Sequence, residues 1–177
     1  MGLLPYISRD LGVSIPAVGQ SISLYAIGVV VGAPLITALA ARVERKTLLL
    51  GLMFAFVLDN GFSAVAPSLG WLFVARFHAG LPHGAYFGVA AVVASVLVAR
   101  ERRGTAVARV MPGLTVANVL GAPFATALGG ALGWRAAYFL VVCLGVLTLV
   151  ALALRVPRTR QEGMVSAGQR IRALARS

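Results

Sequence analysis

The sequence predicts an all-α membrane protein, an inverted 3+3 repeat of helices in which about five membrane spans are complete. Three observations carry this. Of 177 residues, 59% are hydrophobic and 12% charged, whereas soluble domains carry about 25% charged residues. Mostly apolar stretches of about 20 residues, long enough to cross a bilayer, recur along the chain. One octapeptide also occurs twice, as GAPLITAL at residues 32–39 and GAPFATAL at residues 121–128.

Complete spans are read at about 18–40, 47–66, 71–98, 106–131 and 136–154. Ahead of them, MGLLPYI reads as the last turns of a further span, followed by a polar loop, SRDLGVSIP. It is too short for a signal peptide and has no basic n-region, so the chain is expected to begin inside a helix. Residues 1–157 then form one transmembrane half-bundle and residues 158–177 a basic tail or linker.

Charge sets the orientation. The net charge is +11. Arg42, Arg45 and Lys46 share one loop, Arg100, Arg102, Arg103 and Arg109 lie in or beside a second, and Arg155, Arg158, Arg160, Arg170, Arg172 and Arg176 follow the last span. Loops rich in Lys and Arg face the cytoplasm, which predicts a multi-pass protein of the cell membrane with its C-terminus inside. The basicity is therefore topological, and without an aromatic-basic module it argues against nucleic acid as a partner. Trp71 and Trp134 begin spans at the opposite face, where indoles favour the headgroup region. Cys143 is the single cysteine, which leaves no intrachain disulfide and no cysteine-rich metal site. It is expected to act as a small apolar packing residue.

With this orientation the two octapeptides lie three spans apart on helices that run in opposite directions. Inverted repeats of three helices are a building plan of transporters. Helices in lipid gain no hydrophobic attraction from one another, so small residues that allow close approach matter. Gly32 and Pro34 match Gly121 and Pro123. Gly113, Ala117, Gly121, Ala125 and Gly129 recur at four-residue spacing, as do Gly80, Gly84 and Gly88. Each proline removes a backbone donor and favours a kink. Ordinary packing and a paired hinge both fit these residues.

Three segments carry a family resemblance. YAIGVVVGAPLITALAARVERKTLLL resembles the second helix and following loop of the major facilitator superfamily. ARFHAGLPHGAYFGVA resembles its fourth helix, with an Arg-x-x-x-Gly motif at Arg76 and Gly80. GLTVANVLGAPFATALGGALGWRAAYF resembles its fifth helix, the antiporter motif and the start of the sixth. Within the superfamily the chain is similar to the arabinose-efflux-permease-like drug:proton antiporters, from Met1 to about Pro157. The resemblance implies the N-terminal half of a proton-coupled efflux transporter for small organic molecules of the drug or sugar class. Such a half rocks against a second half in alternating access. The family has twelve helices, so this chain is expected to be a fragment inactive alone. A non-transporting membrane interaction protein and a half-transporter working as a homodimer remain alternatives.

The family's loop motif, Gly-x-x-x-Asp-Arg-x-Gly-Arg-Lys/Arg, corresponds here to Thr37, Ala41, Arg42, Val43, Glu44, Arg45 and Lys46. The basic residues remain and the aspartate and both glycines are gone. The resemblance implies a cytoplasmic gate formed by Arg42, Glu44, Arg45 and Lys46, and a positive-inside anchor reads equally well.

Arg76 lies five residues past Trp71, about 8 Å below the outer interface. An ionisable group inside a span is a functional-site hypothesis by default. The resemblance associates this arginine with proton coupling, although guanidinium does not itself deprotonate. Snorkelling to the headgroups is the alternative. Asp59 is the one acidic residue inside a span, at similar depth, and is expected to pair with Arg76, to carry protons itself or to contact solvent. His83 is two turns from Arg76 and has a side chain suited to proton traffic, with a hydrogen-bonded packing role as the alternative. His78 and His83 do not share a face at i and i+4, so no metal is expected. Tyr25, Tyr86, Thr115 and Asn118 are candidates for a cavity wall. The uncharged AAYFLVVCLGVLTLVALAL is expected to face lipid. No phosphate loop, metal-ligand motif or nucleophile elbow appears, so neither an enzyme nor a cofactor is expected.

Overall fold

The computed structural model describes residues 2–40, 43–110 and 112–157. The first helix, α1, runs Leu4–Leu11, so Ser8, Arg9 and Asp10, read as loop from their polarity, are helical. It stops at Gly12, whose φ of +64° lies in the left-handed region that glycine enters at little cost. Helix α2 spans Ile15–Leu39, α3 spans Arg45–Ala64 and α4 spans Leu69–Val96.

These helices start slightly earlier than their apolar stretches because a side chain caps each one. Ser14 Oγ accepts from the Ala17 N–H at 3.4 Å, and Ser68 Oγ from the Trp71 N–H at 3.3 Å. The Glu44 carboxylate accepts from the N–H groups of Lys46 (3.1 Å) and Thr47 (2.9 Å). Each cap satisfies donors that the first helical turn leaves without partners.

The fourth complete span is broken into pieces. A 3₁₀ turn at Arg100–Arg102 leads into α5 (Arg103–Ala108), and α6 (Pro112–Val116) continues through a π turn at Ala117–Gly121 into α7 (Ala122–Leu132). Pro123 brings no N–H to the helical ladder, and its ring crowds the carbonyl one turn back. The wider π turn stands where that crowding falls. Pro34 behaves differently, since α2 passes through it unbroken. Gly133, with φ +87°, separates α7 from α8 (Trp134–Arg155).

Helix α2 packs along α4, α3 lies against both α4 and α8, and α7 lies against α8. The α2–α4 crossing is made by glycine. A Cβ at Gly28, Gly32, Gly80 or Gly84 would meet the carbonyl oxygen of Phe77, Leu81, Tyr25 or Val29 on the opposite helix. Gly88, Gly113 and Gly121 face open space instead, so the four-residue stripe along the span of α6 and α7 is largely unpartnered among the described residues.

A buried cluster of Ile7, Val18, Ala66, Leu72 and Trp134 joins the ends of α1, α2, α4 and α8. Trp134 is 2% exposed, which corrects its assignment to the headgroup region, whereas Trp71 is 48% exposed. Cys143 is exposed rather than packed. Helix α8 is not wholly peripheral, because its Gly145 sits against Val57 of α3. Its Leu144, Leu147, Val150 and Leu154 do point outward. Among the described residues, five helices are long and apolar enough to cross a membrane. Outward-facing Val30, Leu39, Val74 and Leu132 suit hydrocarbon surroundings.

Candidate functional site

Arg76 sits on α4, whose close approach to α2 brings Tyr25 beside it. The guanidinium carbon lies 4.3 Å from the centre of the Tyr25 ring and 5.6 Å from that of Tyr138 on α8. One guanidinium nitrogen donates to Asn60 Oδ1 of α3 at 3.4 Å. Four helices therefore converge on this charge. Ring faces attract a cation through their quadrupole, and the effect grows where water is excluded.

The expected Arg76–Asp59 ion pair is not formed. Asn60 occupies the place at the guanidinium, is buried, and is steadied by donating from Nδ2 to the Phe56 carbonyl at 2.7 Å. Successive helical residues are about 100° apart around the axis, so the neighbouring Asp59 makes no ion pair with Arg76, although its charge stays within Coulombic range of Arg76 and His78. The one ion pair among the described residues is Arg135–Asp10.

His83 contacts the same group through Tyr25, edge to face, with ring centres 5.5 Å apart. Phe87 and Phe56 flank it at 5.2 and 6.2 Å. His78 is exposed and makes a ring contact with Phe77. Of the other wall candidates, Tyr86 lies beside Phe87 on α4, while Thr115 and Asn118 are exposed. The Asn118 amide donates to the Leu114 carbonyl of its own helix at 3.0 Å. The structure thus gathers Arg76, Tyr25 and His83 and leaves Thr115 and Asn118 apart from them.

Two of the loop residues make contacts within the described bundle. Glu44 caps α3, and Lys46 Nζ donates to the Ala153 carbonyl at 2.7 Å, near the C-terminal end of α8. A cation there suits the negative end of the helix dipole. Arg42 and residues 158–177 lie outside the described residues.

At the opposite end, Asp10 accepts from Trp134 Nε1 at 3.0 Å and pairs with Arg135. Arg135 also donates to the Ala66 carbonyl at 3.1 Å and covers the Trp134 ring at 4.4 Å. The Arg135 hydrogen bond first, and the Trp134 one second, hold the Asp10 carboxyl below its ordinary range. Asn60, Tyr138 and Asp10 escaped sequence reasoning. Gly28 did too, although Gly28-x-x-x-Gly32 was there to be read.

A helical bundle with five membrane-length apolar helices and an arginine enclosed by ring faces defines a multi-pass membrane protein. Residues 1–176 match the Major Facilitator Superfamily, and the chain belongs to that family. It is 46% identical over 158 residues to the inner membrane transport protein YdhP of Escherichia coli K12, covering 89% of this chain and 41% of that protein. The putative transporter AraJ of the same organism is 38% identical over 162 residues, covering 92% of this chain and 41% of its own. A chloramphenicol resistance protein of Streptomyces lividans is 40% identical over 143 residues, covering 80% of this chain and 36% of its own. The chain spans about two-fifths of the length of these curated relatives.

Proposed function

We propose that the chain is the N-terminal half of a proton-coupled efflux transporter for small organic molecules in the cytoplasmic membrane. The half rocks against a second half, and its basic loops face the cytoplasm. The observation that carries this reading is Arg76, a permanent charge enclosed by Tyr25, Tyr138 and Asn60, all neutral. A charge inside a span with no ion-pair partner among the described residues suits a site where a second charge arrives and leaves. Arginine does not release its own proton, so the traffic passes through an acid or imidazole, and Asp59 and His83 are the nearby candidates. Relatives named for transport and for chloramphenicol resistance support the efflux class.

The test is dye efflux from proteoliposomes driven by a pH gradient, using a protein that carries this sequence joined to a second half. Arg76→Ala should abolish coupled efflux while leaving expression intact, and Arg76→Lys should retain part of it. Efflux at the unaltered rate with alanine would reduce Arg76 to an anchor and remove the proton-coupling role. Coupled efflux by the 177-residue chain alone would replace the half-transporter reading with a homodimer.

A further inference from the structure

Beyond the α2–α4 contact that holds Arg76, a cavity of about 160 Å³ opens between α3 and α4. Leu52, Met53 and Phe56 form its α3 wall, and His83, Tyr86 and Phe87 its α4 wall. Pro82 completes the lining. The wall is almost wholly carbon.

We propose that this cavity binds a small uncharged aromatic molecule of one ring. Three features select that class. A charged guest would leave its water shell for a wall that offers it no counter-charge, at a prohibitive cost. The cavity is partly open, and its volume of about 160 Å³ gives room for a single ring. The walls already follow the edge-to-face pattern that a further ring extends. His83 meets Phe87 at 62° and 5.2 Å, and Tyr86 meets Phe87 at 87° and 6.2 Å. His83 belongs to this wall and also touches Tyr25, the ring under Arg76, so a guest sits one ring contact from the group around Arg76. The site is lined by α3 and α4 alone and does not depend on a second half or on the transport reading.

The experiment is photolabelling of the full chain in lipid nanodiscs with a phenyl trifluoromethyl diazirine, followed by mapping of the labelled residues. A parallel arm uses a phospholipid that carries the diazirine in its acyl chain. The ring probe should attach at Met53, Tyr86 and Phe87 and be displaced by excess toluene. Met53→Trp, which fills the cavity, should weaken that labelling about tenfold, while Leu147→Trp on the outward face of α8 should leave it unchanged. Toluene displacement in the unaltered chain decides the matter if the Met53 variant does not fold. Labelling spread over the outward apolar residues without displacement would overturn the proposal. So would acyl-chain labelling of the same residues that toluene does not displace, which makes the cavity a lipid groove.

Discussion

The Arg76 guanidinium lies over the ring of Tyr25 at 4.3 Å, and the same ring meets His83 at 5.5 Å. One tyrosine on α2 thus supports a charge and an imidazole seven residues apart on α4. Removing the ring face should cost more than removing its hydroxyl. Tyr25→Leu is expected to destabilise the bundle by about 2 kcal/mol, and Tyr25→Phe by less than about 1 kcal/mol. Unfolding of the chain in mixed micelles measures both. Equal losses would mean that the hydroxyl, not the cation–ring contact, carries the stabilisation.

Asn60, and not Asp59, is the α3 partner of Arg76. A double-mutant cycle between Arg76→Lys and Asp59→Asn should therefore be additive within about 0.5 kcal/mol. The same cycle with Asn60→Ala should show a coupling of about 1 kcal/mol, the worth of a hydrogen bond to a charged group at long distance. Coupling at Asp59 of the size expected at Asn60 would restore the direct ion pair.

The spans were legible because crossing a bilayer requires length and apolarity together, and both are local properties of the chain. Arg76 was legible for the same reason, as a charge where charge is costly. Its partner was not. Asp59 and Asn60 are adjacent in sequence, and only the rotation of α3 decides which one meets the guanidinium. Trp134 failed in another way. An indole at a span start suits headgroups or a buried hydrogen bond equally, and here an acceptor 124 residues away, Asp10, decided for burial. The glycines on α2 and α4 could be seen as stripes, but their mutual contact is tertiary.

That contact separates two kinds of glycine. Gly32→Val would drive a side chain into the Leu81 backbone, which flexible side chains cannot relieve. It should cost about 3 kcal/mol or prevent folding altogether. Gly113→Ala meets nothing within 4 Å and replaces a poor helix former, so it should be neutral or stabilise by up to about 1 kcal/mol. Thermal unfolding of the two variants in one detergent gives the comparison. A neutral Gly32→Val would show that α2 and α4 do not cross this closely.

The last prediction follows from the carboxylate that ties α1 to α8. Asp10 holds both Trp134 and Arg135, and these bonds pull its pKa below the ordinary value of 3.8. A group whose folded pKa is depressed contributes stability that is present above the unfolded value. That contribution is lost as pH falls through the lower, folded value. The clasp should thus be intact at neutral pH and fail only below about pH 4. Its size is limited, because the pair is substantially exposed and screened by solvent. About 1 kcal/mol is expected. Asp10→Asn keeps an acceptor for Trp134 but loses the charge, so it should lower stability at pH 7 and flatten the acid limb of the stability profile. Chemical unfolding of both proteins between pH 3 and pH 7 reads this directly. An Asp10→Asn profile that runs parallel to the unaltered one throughout would assign the acid sensitivity to another carboxylate and leave Asp10 as a neutral hydrogen-bond acceptor.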